Sequence, residues 1–196
     1  MESERTSPGE VTRLLRRLDE GDGQAADRLF ALVYDELRRL ARAQVRRAGS
    51  PPTLSATALV HESYLKLSGG SVLHAENRSH FLSIAARAMR QVLVDQARQK
   101  RTTKRGGEWT PTTLMDGHSA FQVDFMDMLA LDEALERLES RQRQIVEARF
   151  FGGLEEAEIA RSLGISDRTV RREWVKARAW LVRSLFPQIE DAPPAH

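Results

Sequence analysis

Residues 154–174 read LEEAEIARSLGISDRTVRREW, and their pattern decides the class of fold. The spacing predicts a short amphipathic helix over Glu155 to Ser162, with Ile159, Ala160 and Leu163 on one side. Gly164 follows, the residue that tolerates a positive φ where one helix stops and another begins. Ser166 stands where an N-cap belongs, its hydroxyl able to accept from the first orphan amides. Beyond it Val170, Trp174, Ala177 and Leu181 recur at helical spacing, while Arg168, Arg171, Arg172, Lys176 and Arg178 take the opposite face. Two helices joined by a tight glycine turn, the second one basic, describe a DNA-reading helix-turn-helix. A plain helical hairpin with a solvated charged face would also carry such arginines. The register of Ala160, Gly164, Ile165, Ser166 and Val170 favours DNA.

The chain has 196 residues, enough for one or two domains with cores of their own. It contains no cysteine, which removes disulfides, thiolate metal sites and a cysteine nucleophile, and fits a reducing, cytoplasmic location. No apolar run approaches membrane-spanning length, so no membrane insertion is expected. The opening MESERTSPGE lacks the basic and apolar regions of a signal peptide. A net charge of +2 hides an uneven distribution. Arg87 to Arg105 holds seven basic residues and one acid, and Ser166 to Leu185 six against two, whereas Asp124 to Glu158 has four against ten. Two basic islands parted by an acidic stretch imply two contacts with a polyanion.

Outward from the motif, the rest of the chain also reads as helix. Residues 1–9 are expected to be loose, and Val11 to Leu18 forms a short helix closed by Glu20-Gly21-Asp22-Gly23. That run lacks the alternating oxygen ligands of a calcium loop, so Asp22 is read as a helix cap. A helix over Gln24 to Ala48 places Ala26, Leu29, Phe30, Val33, Leu37, Leu40 and Ala41 on one stripe. Gly49-Ser50-Pro51-Pro52 breaks it, and Ser55 to Leu67 forms a third helix. Within that helix His61-Glu62 begins like a zinc-binding HExxH, but Leu65 occupies the second histidine's place and removes the site. His74 and His80 read as loop polar groups, so neither a metal nor a cofactor is expected.

A fourth helix is expected from Phe81 to about Lys100, burying Phe81, Ile84, Ala85, Ala88, Val92 and Leu93. Ser83, Arg87, Arg90, Gln91, Asp95 and Arg98 are then left to solvent or a ligand. Because this face runs into the basic Gln99 to Arg105, nucleic-acid contact is the better reading. Residues 106–126 lack periodicity and read as an interdomain linker, with Trp109 its one large apolar side chain. From Asp127 the helical pattern resumes through Leu129, Leu131, Leu135 and Leu138, then Ile145, Val146, Phe150 and Phe151, with Ser140 able to cap the second run. With the helix-turn-helix this makes a four-helix C-terminal domain, its core helped by Trp174 and Trp180. Residues 187–196 are expected to be loose.

Taken together, residues 10–185 resemble a bacterial RNA polymerase sigma factor of the minimal extracytoplasmic function (ECF) class. Three stretches carry the likeness: ALVHESYLKL, HFLSIAARAMRQVLVDQARQKR and LEEAEIARSLGISDRTVRREWVKARAWL. They are similar to the polymerase-docking segment of domain 2, its promoter-melting helix, and the domain 4 helix-turn-helix. The sequence departs from the common pattern where family members carry acidic residues before the Leu-Val pair; here stand Ser55-Ala56-Thr57-Ala58. Arg87 and Phe81 likewise replace the more usual Asn and Trp.

The resemblance implies an all-α chain of two small helical domains: domain 2 over 10–105, a flexible linker over 106–126, and domain 4 over 127–186. It implies a cytoplasmic non-enzyme whose partners are core RNA polymerase and promoter DNA; family members are often held by an anti-sigma factor. Leu59, Val60, Glu62, Ser63, Leu65 and Lys66 would dock on polymerase. Ser166, Arg168, Thr169, Arg171, Arg172 and Lys176 would meet the minus-35 element, with arginine forks taking guanine edges. Asn77, Arg78, His80, Arg87, Arg90, Gln91 and Arg98 would serve the minus-10 element, where flipped bases must be captured. Two rivals stand beside this: a self-sufficient helix-turn-helix regulator, and an enzyme acting on nucleic acid. The enzyme would need clustered carboxylates inside the basic regions, and Asp95 alone does not supply them.

Overall fold

The computed structural model describes residues 8–48, 54–69, 75–103 and 127–186, and within them the chain is all-α. Helices α1 (Pro8–Asp19), α2 (Gly23–Arg47), α3 (Ala56–Gly69) and α4 (Arg78–Thr103) make the N-terminal half. The C-terminal half has α5 (Asp127–Glu136) and α6 (Ser140–Val146), which runs into a π-turn (Glu147–Phe151). Helices α7 (Glu156–Leu163) and α8 (Asp167–Leu185) follow. The expected linker 106–126 with Trp109, basic Lys104 and Arg105, the Gly49–Pro52 break, His74 and the tail 187–196 all lie outside the described residues.

Side-chain caps set the helix starts. Asp22 accepts from the Gln24 amide at 3.0 Å, as expected of a cap. A hydrogen bond from Arg17, at 2.5 Å, holds its carboxyl below the usual aspartate range. Asn77 accepts from the His80 amide at 2.9 Å, so α4 starts at Arg78, three residues ahead of the Phe81 expected from hydrophobic spacing. At the other sites the corrections are small. Pro8 and Gly9, expected to be loose, belong to α1, and Ser140 is the first residue of α6 with Glu139 at the N-cap.

In the N-terminal half, Leu29, Val33, Leu37, Leu59, Phe81 and Leu93 are sealed from solvent. Phe30 meets the rings of Tyr64 and Phe81 edge-on, at centroid distances of 4.4 and 5.6 Å. Each such side chain contributes roughly 1.5–3 kcal/mol by burial. In the C-terminal half the corresponding anchors are Leu135, Ile145, Ile159, Val170 and Ala177.

The two halves pack on one another, and α4 lies between them. It touches α1, α2 and α3 on one side and α5, the π-turn and α7 on the other. Its middle is therefore buried almost all round: Leu82, Ala86, Met89, Val94 and Ala97 are covered together with the expected Phe81, Ala85, Val92 and Leu93. Ile84 and Ala88, expected on the core stripe, are only half-buried.

The π-turn is what meets α2 and α4. Gly152 donates to Glu147 O at 2.9 Å, one residue wider than an α-helical step, and Leu154 donates to Ala148 O at 3.1 Å. A Cβ on Gly152 would lie 2.6 Å from Ala148 O, so only glycine lets the chain leave the helix here. The carbonyls at the helix end find partners from far away in sequence. Arg47 donates to Phe150 O and sets its guanidinium 4.7 Å over the Phe150 ring. Gln44, 2 % exposed, shares its amide nitrogen between Phe151 O at 3.3 Å and Ala86 O at 3.1 Å. The end of α2 thus caps the π-turn and ties it to α4.

Candidate nucleic-acid interface

The turn between α7 and α8 is built by local chemistry. Glu158 accepts from the Glu155 amide at 3.0 Å and closes the start of α7. Gly164 takes φ +63 and ψ +34, the left-handed geometry that ends a helix, and Ile165 donates to Ala160 O at 3.0 Å. Ser166 Oγ accepts from the Thr169 amide at 3.3 Å and lies 3.0 Å from Thr169 Oγ1. Val170, Ala177 and Leu181 then bury one face of α8, with Trp174 and Trp180 half-buried against the core.

The opposite face leaves Arg168, Arg171, Arg172, Lys176 and Arg178 exposed. Two carboxylates orient it. Arg171 Nη2 reaches Glu156 Oε2 at 2.9 Å, and Arg149, stacked 4.8 Å over Trp174, reaches Glu156 Oε1 at 3.1 Å. Gln142 donates to Glu173 at 3.1 Å, Arg172 at 3.0 Å, and Lys176 lies 3.6 Å away. Hydrogen bonds from Arg171 and Arg149 hold the Glu156 carboxyl below the usual glutamate range; Gln142 and Arg172 do the same for Glu173. Arg171, Arg172 and Lys176 are thereby held by carboxylates along the outer face of α8.

The second basic island is arranged differently. Asn77, Arg78 and His80 stand at the first turn of α4, with Arg78 bound to Glu36 at 2.5 Å and 3.9 Å from Glu158. His80 Nδ1 accepts weakly from the Glu76 amide at 3.4 Å. Farther along, Arg87 and Arg98 are exposed and Gln91 donates to Asp95 at 3.3 Å. Arg90 departs from the expected solvent face: it is 1 % exposed. Its guanidinium binds Asp132 of α5 and, at 2.8 Å, Glu147 of the π-turn. Arg98 reaches the other Asp132 oxygen at 3.1 Å, and Arg87 lies 3.9 Å from Glu147. Asp132 and Glu147 were not singled out in the sequence, although the acidic stretch that holds them was the available signal.

On α3 the six expected docking residues split by face. Leu59, Val60 and Ser63 are 0, 2 and 1 % exposed, and Ser63 Oγ donates to Val60 O at 2.7 Å, so these three support the helix from inside. Glu62, Leu65 and Lys66 point to solvent, Leu65 with 63 % of its surface bare. Lys66 binds Asp95 at 2.5 Å. Burial works to raise the Asp95 carboxyl, but hydrogen bonds from Lys66 and Gln91 outweigh it and hold the group below its usual range.

Among the described residues no helix is long and apolar enough to cross a membrane. None of their His, Asp and Glu residues gather in a group that could hold a metal ion. In comparison with known proteins, a family model described as ECF sigma factor matches residues 8–187. No curated protein matches the chain.

Proposed function

The chain belongs to the ECF sigma factor family, non-enzymatic factors of transcription initiation, and from that premise we propose that it binds core RNA polymerase and carries it to promoters with minus-35 and minus-10 elements. The observation that supports this most directly is α8. Its cap and inner face are fixed by the fold, and its outer face offers Arg168, Arg171, Arg172 and Lys176 to a duplex. An arginine fork on guanine O6 and N7 discriminates by about 1–3 kcal/mol per base pair. Arg168, Arg171 and Arg172 would read bases, while Ser166, Thr169 and Lys176 would hold phosphates and set the register.

The minus-10 element requires bases to leave the stack, at a few kcal/mol each, recovered when a protein pocket receives them. Asn77, Arg78 and His80 at the head of α4, with Arg87 and Gln91 along it, would receive them, Arg90 would brace the helix from inside through Asp132 and Glu147, and Arg98 would hold backbone. For polymerase, the exposed trio Glu62, Leu65 and Lys66 supplies one apolar contact flanked by two charges. Leu59, Val60 and Ser63 would keep that face rigid.

Run-off transcription with core polymerase, with and without this protein, on genomic promoter fragments tests the proposal. A promoter-dependent transcript that requires the protein is expected; its absence on every template would overturn the reading. Tight, specific duplex binding in the absence of polymerase would instead favour a self-sufficient regulator.

A further inference from the structure

Residues 37–48 of α2 read LRRLARAQVRRA, five arginines and no acid in twelve positions. Asp27, Asp35 and Glu36, earlier on the helix, hide this island in a count over the whole element. Burial sorts it by face. Leu37, Ala41, Gln44 and Ala48 are sealed against the core, and Arg47 turns inward to donate to Phe150 O. Arg39, Arg42 and Arg46 are exposed, and at i, i+3 and i+7 they form one row along the outside of the helix. Asp35, exposed one turn before Arg39, bounds the row.

The row differs from the cations described so far. Arg78, Arg98, Arg171, Arg172 and Lys176 each meet a carboxylate. Among the described residues Arg39, Arg42 and Arg46 meet none. Like charges one turn apart repel one another, so the row works against the helix that carries it. It also faces away from α4. Gln44, which donates to Ala86 O of α4 at 3.1 Å, lies two positions from both Arg42 and Arg46. Two positions are about 200° round the helix. An anion held by the row is therefore not one lying along α4.

We infer that Arg39, Arg42 and Arg46 form a third basic contact, which grips the phosphate backbone of duplex DNA outside both promoter elements. The chemistry of the row selects this ligand. Large apolar side chains are exposed at Leu65 of α3 and at Val175 and Phe186 of the α8 region, and none stands in the row. A protein partner would need such an anchor. The row carries no aromatic ring on which unpaired bases could stack, as a single-strand site would. It offers guanidinium alone, which suffices for a contact that is electrostatic and blind to sequence. Arg39 and Arg46 lie about 10 Å apart along the helix axis. A DNA strand sets a phosphate every ~3.4 Å of its own axis, so the row matches about three phosphate steps. The inference is independent of the base-reading roles proposed for α4 and α8.

The test is binding of the full chain to a random-sequence duplex across a range of salt. Arg39→Ala/Arg42→Ala/Arg46→Ala should keep the helix, alanine being the best helix former. At about 0.9 per phosphate, three lost contacts should lower the log K against log salt slope by about 2.7. Over a fourfold rise in salt the parent should then lose about 40-fold more affinity than the variant. Arg39→Lys/Arg42→Lys/Arg46→Lys should keep most of the parent slope, since a point charge also holds phosphate. Asp35→Arg lengthens the row and should steepen the slope by about 0.9. Arg16→Ala, at an exposed arginine of α1, should leave it unchanged.

A folded triple-alanine variant whose duplex slope equals the parent's overturns the inference. So does a slope change larger on a single strand than on the duplex. Loss confined to core polymerase binding, with the duplex slope intact, also overturns it and assigns the row to an acidic protein surface. If the alanine variant does not fold, Asp35→Arg decides, and an unsteepened slope overturns the inference. Failure of run-off transcription would remove the proposed function, while the duplex slope would still decide the row.

Discussion

Arg90 Nη2 of α4 and Glu147 Oε1 of the π-turn lie 2.8 Å apart, with 1 and 6 % of their side chains exposed. Fifty-seven positions separate them in the chain. Removing one partner from such a pair leaves an uncompensated buried charge, at about 3–5 kcal/mol when the surroundings cannot open. Glu147→Gln is therefore expected to raise amide hydrogen exchange in α4 and the π-turn while exchange in α1 stays near that of the parent.

Gly152 is a second point where the packing of the π-turn can be tested. A methyl group there meets Ala148 O at 2.6 Å, backbone that cannot swing aside. Gly152→Ala should cost about 1–3 kcal/mol, the range for an overpacked site, read from the urea midpoint. An unchanged midpoint would show that the π-turn relaxes freely.

At the helix-turn-helix, Ser166→Ala removes the hydroxyl that accepts from the Thr169 amide. The expected loss is about 0.5–2 kcal/mol of stability, with Ser166→Asp retaining most of the parent value. Equal melting temperatures for the serine and alanine forms would mean the cap contributes nothing.

Glu156 and Glu173 predict a pH dependence with a definite sign. Both carboxyls are held below the usual glutamate range in the folded chain, Glu156 by Arg171 and Arg149, Glu173 by Gln142 and Arg172. A group depressed in this way takes up its proton at lower pH folded than unfolded. Its stabilisation is complete above the unfolded glutamate range and fades as pH falls through the folded value. The melting difference between parent and Glu156→Gln should be largest near neutrality and close at acidic pH; a gap that widens on acidification would refute the assignment.

Arg171→Ala and Arg98→Ala should differ in kind. Loss of Arg171 is expected to reduce initiation by roughly 5- to 150-fold at promoters with particular upstream bases, the equivalent of about 1–3 kcal/mol. Loss of Arg98 should weaken DNA binding evenly across sequences and lower the salt slope by about 1. Uniform loss for Arg171 would reassign it to phosphate.

The helix-turn-helix was legible because its determinants are local. A glycine able to adopt φ +63, a serine two positions on and a 3.6-residue apolar period specify two helices and their turn within some thirty residues. Asp22 was legible for the same reason. What escaped notice depends on distant neighbours. Arg90 sits on the polar side of α4 by periodicity, and nothing near it in the chain shows that α5 and the π-turn cover that side. Leu59 and Val60 look like exposed anchors until α2 and α4 are packed around α3.

The amino-acid order alone determined an all-helical chain, the places where its helices stop, and a basic helix with one face to bury. Those follow from backbone conformational preference and from apolar spacing over a few turns. Only the tertiary structure decided which charges remain in water. Gln44 meets Phe151 across 107 positions, and Arg90 meets Glu147 across 57. Whether a guanidinium finds a carboxylate or solvent depends on which surfaces close together, and that is set by packing the whole chain.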